Sequence, residues 1–464
     1  MSDLADGLTL RGWVVDPASG REGAAEIAVS GGVLERVSWL EGTAADGIGP
    51  DGTLILPGLV DLHAHFREPG NEDAETVATG LAAAAHGGFT TVCLMPNTTP
   101  AIDEPGVVAR VRAAAAVSGS PVRVLVHGAV TVGRKGETLA PMGELADAGV
   151  VGFSDDGAPV QAAALLHNAL AYAGALGLPV IDHPEDPSLT GGAEASEGYV
   201  ATVLGLRGWP VAAEAGAVAR AIAVLADVVR DVPAARLHLT HVSAAASLAH
   251  VRAAKAAGLP VTCDVTPHHL GLTDEWIAGS RRWAWEAIDG DGSARDPWAD
   301  GSLVAAPFDT SLRVNPPLRS AEDAAACLAA LVGGTADAIG TDHAPHTEVD
   351  KHVEFGWAAN GISGIETALA IVLAAVDAGG LSLARAVEAL TTGPARVLGP
   401  SAGVVPGLRV GEPADLVVVE RAATWTVTAE ALRSKGKNSP LLGRELRGVV
   451  RLTLAGGRVA YAAD

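Results

Sequence analysis

The sequence predicts an α/β protein: a (β/α)8 barrel with a small β-sandwich domain built from both chain ends. Three observations predict it. Between residues 56 and 392, short apolar segments alternate with Ala-rich helical segments in about eight units. Such alternation implies a parallel sheet, and about eight units suggest a closed barrel. The stretches on either side instead carry alternating or β-branched segments with Gly-Gly turns, which read as strands that pair with one another. Histidine and aspartate fall where the apolar segments of the central region end, the face on which a barrel carries its chemistry. The limits that follow are 1–55 and 398–464 for the two parts of the sandwich and 56–397 for the barrel.

Taken in order, residues 8–15, 25–29 and 33–39 read as strands, with Gly31-Gly32 as a hairpin turn. The apolar run Leu54, Ile55, Leu56, Leu59, Val60 and Leu62 reads as a short buried strand that delivers His63-Ala64-His65. A strand has a period of two, so His63 and His65 project to one side, where two neutral imidazoles can grip one ion. Residues 76–85 are predicted helical, Gly87-Gly88 ends the helix, and 90–95 is the next strand. Further strands are predicted at 123–127, 149–153, 179–182, 237–240, 261–265 and 338–340. After Leu398 the β-rich texture returns at 414–420, 424–428 and 449–454, with a Gly456-Gly457 turn. No solenoid or propeller repeat is present.

The composition narrows the function. Apolar residues make up 48% of the 464, enough for a sizeable core, while aromatics at 4% argue against a stacking surface for nucleic acid. A net charge of −22 opposes phosphate backbones and anionic membranes, so an anionic substrate must be met by local arginine or metal charge. Cys93, Cys263 and Cys327 form no Cys-x-x-Cys and suit reduced thiols in a cytoplasmic protein. The start, Met1-Ser-Asp-Leu-Ala-Asp, carries no basic-then-apolar leader, and no run reaches the roughly 18 apolar residues of a membrane span.

Phe153-Ser-Asp-Asp-Gly157, Asp182-His183-Pro-Glu-Asp186, Leu239-Thr-His241-Val-Ser and Thr341-Asp342-His343-Ala-Pro-His346 each follow an apolar strand. Singly these signals are weak, since Asp-Asp-Gly is commonly a turn. Together with His63 and His65 they place His or Asp at five strand ends. A histidine-rich site with carboxylates suits zinc or a similar divalent ion, and a metal pair sharing a carboxylate can hydrolyse a carbonyl centre.

These segments resemble the dihydroorotases of the amidohydrolase superfamily. The match extends through Asp61-Leu-His-Ala-His-Phe-Arg-Glu-Pro-Gly70, His86-Gly-Gly-Phe-Thr-Thr-Val92, Met95-Pro-Asn-Thr98, Val265-Thr-Pro-His-His-Leu270, Asn315-Pro-Pro-Leu-Arg-Ser320, Ser434-Lys-Gly-Lys-Asn-Ser-Pro440 and Gly456-Gly-Arg458. The resemblance implies that His63, His65 and Asp342 hold one metal, that His183 and His241 hold a second, and that Asp156 bridges them. Many relatives use a carboxylated lysine there, and Asp155 is the alternative bridge. It implies two zinc ions per subunit, with one as the alternative. Arg67 would clamp the substrate carboxylate bidentately. Asn97, Asn315 and His346 would add polar contacts, and backbone groups at Asn360-Gly361, where close relatives often have Phe-Gly, would meet the substrate ring. His268 and His269 read as structural, and Glu68, Pro69 and Gly70 as loop-shaping.

The activity implied is reversible cyclisation of N-carbamoyl-L-aspartate to (S)-dihydroorotate and water in pyrimidine biosynthesis, with Asp342 as proton shuttle. Another cyclic amidohydrolase, hydantoinase- or allantoinase-like, is the alternative within enzymes. A metal-free partner of aspartate carbamoyltransferase is the non-enzyme alternative, disfavoured because such relatives lose metal ligands and this chain keeps them. The resemblance is compatible with a homodimer and with association with that carbamoyltransferase. Residues 281–310, longer than the family pattern, read as an inserted loop at the mouth of the site, a partial cover or an oligomer contact.

Overall fold

In the computed structural model, which describes residues 7–289 and 294–463, the strands run in chain order through three regions. The first holds β1 (Leu8–Asp16), β2 (Arg21–Ser30), β3 (Val33–Trp39) and β4 (Thr53–Pro57). The second holds β5 (Leu59–Ala64), β6 (Phe89–Leu94), β7 (Arg123–Val126), β8 (Val180–Asp182), the two-residue pair β9 (Ala195–Ser196) and β10 (Gly208–Trp209), β11 (Leu237–Leu239), β12 (Val261–Val265) and β13 (Ala338–Ile339). The third holds β14 (Leu416–Thr426), β15 (Glu445–Ala455) and β16 (Arg458–Ala462).

Strands from the two ends join one seven-stranded sheet in the order β16-β15-β14-β4-β1-β2-β3. Its edges curl toward each other. Leu34 N donates to Glu412 O at 2.9 Å, and Gly32 and Gly457 pack backbone to backbone. The curled sheet encloses Val14, Ile27, Ile55, Leu416 and Leu454, giving the small domain a core of its own. The segments predicted at 414–420 and 424–428 are one strand, β14, with an irregularity between Glu420 and Thr424. The strand after the Gly456-Gly457 turn, β16, was not predicted.

The apolar run into His63 is two strands, not one. β4 belongs to the curled sheet and β5 to the barrel, and the chain crosses between them at Pro57-Gly58. Glycine is required at the crossing because a Cβ on Gly58 would lie 2.2 Å from Thr90 Oγ1. Both strands are buried on both faces, so no polar alternation separated them in the sequence.

The barrel strands are parallel: β5-β6-β7 form one run and β8-β11-β12-β13 the other. Single bridges close the ring, Gly128 and Val180 each pairing with Phe153, and Ala64 with His343. The strand predicted at 149–153 is thus reduced to a slot filled by Phe153. Gly149, at φ +85°, starts it late, and the turn after Phe153 ends it. Fully buried Leu59, Phe89, Val92, Phe153 and Leu239 belong to one continuous core, each contributing about 1.5–3 kcal/mol by leaving water. The helix Val77–His86 shows how the Ala-rich segments work: Thr76 caps it by accepting from Thr79 N, and small buried residues let it lie close on the sheet.

Of the 281–310 segment, residues 281–289 and 294–310 are described, and the first of these stretches packs on the barrel helices. Trp283 stacks on Trp285 at 5.3 Å under the Arg444 guanidinium, and Arg282 pairs with Glu275 and Asp300. Residues 290–293 of this insertion, and residues 1–6, where no leader was read, lie outside the described residues. Among the described residues no helix is long and apolar enough to cross a membrane.

Candidate active site

The strand ends bring His63, His65, Asp156, His183, His241 and Asp342 into one buried cluster. Two groups within it have ligand-competent atoms mutually within 4.8 Å: His63, His65 and Asp156, and Asp156, His183 and His241. Asp156 lies in both. Its carboxylate is 3.4 Å from His63 Nε2 and 3.5 Å from His65 Nε2 on one side, and 3.3 Å from His183 Nδ1 and 3.5 Å from His241 Nε2 on the other. Asp342 Oδ1 joins the first group at 3.1 Å from His65 Nε2 and 3.5 Å from His63 Nε2. Of the two neighbouring aspartates, only Asp156 faces the histidines. Asp155 turns away and accepts from Val130 N and from the backbone and hydroxyl of Thr131.

The outer nitrogens of three rings each meet an acceptor. His63 Nδ1 donates to Thr240 Oγ1 at 2.8 Å, His65 Nδ1 to Asn97 Oδ1 at 2.7 Å, and His183 Nε2 to Glu185 Oε2 at 3.1 Å. These partners hold the outer nitrogens as donors, so each inward nitrogen offers a lone pair once it carries no proton. Thr240 in turn donates to Asp264, which also accepts from His241 N at 2.6 Å and His238 Nε2 at 2.8 Å. His241 Nδ1 has no hydrogen-bond partner among the described residues.

Inward nitrogens then confront one another: His63 Nε2 and His65 Nε2 at 3.1 Å, His183 Nδ1 and His241 Nε2 at 2.9 Å. Facing lone pairs repel unless a proton or cation lies between them. With carboxylate oxygens beside each pair, the donor set fits divalent cations bound by nitrogen and oxygen. Burial opposes ionisation of Asp342, yet His63 and His65 hold its carboxyl well below the ordinary range; Asp156 is lowered likewise. Both therefore present anionic oxygens.

Backbone strain concentrates here. Arg67 (φ 61°), His241 (φ 39°) and Asp342 (φ 46°) all occupy the left-handed region, at a cost of order 1–3 kcal/mol each.

The residues expected to meet substrate ring this cluster nearer the surface. Arg67, Asn97, Asn315 and His346 are half-buried, Asn360 is exposed and Gly361 is buried. Arg67 Nε donates to Pro345 O at 3.1 Å, and its Nη2 lies 3.3 Å from His346 Nε2. Burial lowers Arg67 to about 10, which leaves it charged at neutral pH. Burial and the Arg67 charge hold His346 down to about 3, so it is neutral. His346 Nε2 lies 2.7 Å from Asn360 O. Asn97 spends its oxygen on His65, and Asn315 donates to Glu185 at 3.0 Å while its own Oδ1 has no hydrogen-bond partner among the described residues. His268 and His269 sit behind the cluster, His269 held between Thr266 and Pro316 O.

Sequence reasoning missed the orienting residues Glu185, Thr240, Asp264 and His238. Asp264 carried a signal, because an aspartate inside the apolar segment Val261–Val265 needs partners when buried.

A family model described as dihydro-orotase-like matches residues 52–246. The chain is 46% identical over 455 residues to a dihydroorotase of Anaeromyxobacter dehalogenans, covering 98% of this chain and 97% of that one. It is 42% identical to a dihydroorotase of Geobacter metallireducens, covering 97% and 98%. Among solved structures, an L-hydantoinase (dihydropyrimidinase) from Arthrobacter aurescens superposes with a TM-score of 0.76 at 25% identity, over 97% of this chain and 94% of that one. A dihydropyrimidinase from Brevibacillus agri superposes with a TM-score of 0.75 at 21% identity, over 98% and 95%, which supports the barrel-plus-sandwich fold.

Proposed function

We propose, for a chain that belongs to the dihydroorotase family, a specific division of labour among its residues. The protein is a metal-dependent cyclic amidohydrolase that interconverts N-carbamoyl-L-aspartate and (S)-dihydroorotate plus water. The observation that carries the site assignment is the placement of Asp156 between two histidine pairs whose inward nitrogens face each other.

In our reading His63, His65 and Asp342 would hold one zinc ion, His183 and His241 would hold a second, and Asp156 would serve both. When bound, the metal lowers the pKa of water and polarises the scissile carbonyl. Arg67 holds the substrate carboxylate, aided by Asn97, Asn315 and His346, so the ring carbonyl carbon faces the buried end of the site. In ring opening, water adds to that carbon and Asp342 takes its proton. Asp342 then gives the proton to the ring nitrogen as the carbon–nitrogen bond breaks, leaving a ureido group and a carboxylic acid that releases its proton to solvent. Ring closure is the reverse. Glu185 and Thr240 keep His183 and His63 in the tautomers that leave their inward nitrogens free. The protein works in the cytoplasm.

A hydantoinase-like specificity is less well supported, because Arg67 offers a half-buried cation to an acid group that hydantoin lacks. Metal analysis paired with assays of dihydroorotate opening and N-carbamoyl-aspartate closure tests the reading. The wild type should carry about two zinc ions and run both directions. His63→Ala/His65→Ala should lose metal and activity together. Full metal occupancy and turnover in that variant would refute the assignment.

A further inference from the structure

The segment 434–440 comes from the far end of the chain, yet it reaches the substrate end of the site. There Asn438, itself buried, spends every hydrogen-bonding group of its side chain on two loops. Its Oδ1 accepts from His346 N at 2.8 Å. Its Nδ2 donates to Ala344 O at 3.1 Å and to Gly361 O at 2.9 Å. Its own carbonyl accepts from Ser363 N at 3.0 Å. One side chain thus sets the spacing between the loop that carries His346 and the loop that carries Asn360-Gly361.

Packing tells the same story independently. A Cβ on Gly436 would fall 2.7 Å from Pro345 Cβ and 2.8 Å from both His346 N and His346 O. A Cβ on Gly361 would fall 2.6 Å from Ala344 Cβ and 3.1 Å from His346 Nε2. Three backbones are stacked with no room for side chains between them. Pro345 O, on the middle one, is also where Arg67 Nε anchors. None of these contacts touches the histidine and aspartate cluster.

We propose that Asn438 is a positioning residue for substrate binding: it fixes His346, Gly361 and, through Pro345, Arg67 in the arrangement that receives the carboxylate end of the substrate. The inference rests on the reading of function above. It predicts an effect on binding rather than on the chemical step, because Asn438 spaces the loops and leaves the metal ligands alone. The alternative, that Asn438 only stabilises the fold, predicts a smaller active fraction. That lowers kcat per total protein but leaves KM unchanged, since KM does not depend on how much enzyme is active.

The test is steady-state kinetics of Asn438→Ala with dihydroorotate, with metal content measured on the same sample. KM should rise tenfold or more, kcat should stay within about threefold, and bound metal should match the wild type. Gly436→Ala keeps Asn438 but pushes on His346, and should raise KM in the same direction; it decides the matter if Asn438→Ala yields no folded protein. An unchanged KM in the variant that folds overturns the inference, whatever kcat does. Failure of the wild type to turn over dihydroorotate would instead refute the reading of function on which it rests.

Discussion

Loading metal into the metal-free protein should release about two protons near neutral pH. Burial by itself would keep His63, His65 and His183 neutral. At His63 the carboxylates of Asp156 and Asp342 outweigh burial and raise it to about 9; at His183, Asp156 and Glu185 do the same and raise it to about 10. His65 goes the other way, lowered by burial. Near pH 7.5 the free site therefore holds protons on His63 and His183, which an incoming cation must displace. Displacing two protons makes the logarithm of the apparent affinity rise by about two per pH unit, about 2.7 kcal/mol per unit. The sign for stability follows. These two histidines have folded pKa values above the ordinary 6.5, so they stabilise the free protein fully below pH 6.5. That contribution is lost as pH rises through about 9–10. The loaded protein has no such protons to lose, so the stability gap between loaded and free protein should widen between pH 6.5 and about 9. Calorimetric titration of stripped protein with zinc, in buffers of different ionisation enthalpy, counts the protons, and chelator competition across this range gives the slope. Release of fewer than one proton, or a flat affinity, would mean that the histidines are neutral in the free site and would refute the reasoning.

Three substitutions probe other parts of the molecule. Asp342→Asn should retain most of its metal and bind substrate while ring opening and closure fall together by roughly 10²–10⁴-fold; near-normal turnover with metal intact would move the proton transfer elsewhere, with His346 next in line. Arg67→Met should raise the Ki of carboxylate-bearing ring analogues far more than that of neutral ones, with folding little changed, and an equal loss for both would make Arg67 a loop brace. Arg319→Met strips the partner from fully buried Glu214, whose carboxylate lies 3.2 Å from Arg319 Nη2, and should cost about 3–5 kcal/mol, read as a lowered Tm; a loss below about 1 kcal/mol would show that Ser243 and Ala244 already satisfy Glu214.

The class of the fold was legible in local patterns of residues, and so were the histidines and aspartates that the folded chain gathers into one cluster. Period-two and helix-period patterns, with Gly-Gly turns between them, are local signals, and they placed β1 to β3, the barrel strands from Phe89 onward and β15 within a few residues. His63 and His65 were legible as a pair because two residues apart on one strand must face one side. What the sequence could not carry was anything decided by packing between distant segments. It read β4 and β5 as one strand, because strands buried on both faces show no alternation and only the close approach of Thr90 makes Gly58 a crossing point. It expected a strand at 149–153, where tertiary closure of the barrel needed only the slot at Phe153. It could not separate Asp155 from Asp156, since both follow the same strand; the choice is made by Val130 and Thr131, whose N–H groups take Asp155 out of the site. Residues 434–440 matched a motif without revealing a task, and only the folded chain brings Asn438 to His346, 92 residues away. Local chemistry is written in the order of residues, whereas the orientation of each ligand depends on partners that the chain meets only after it has closed on itself.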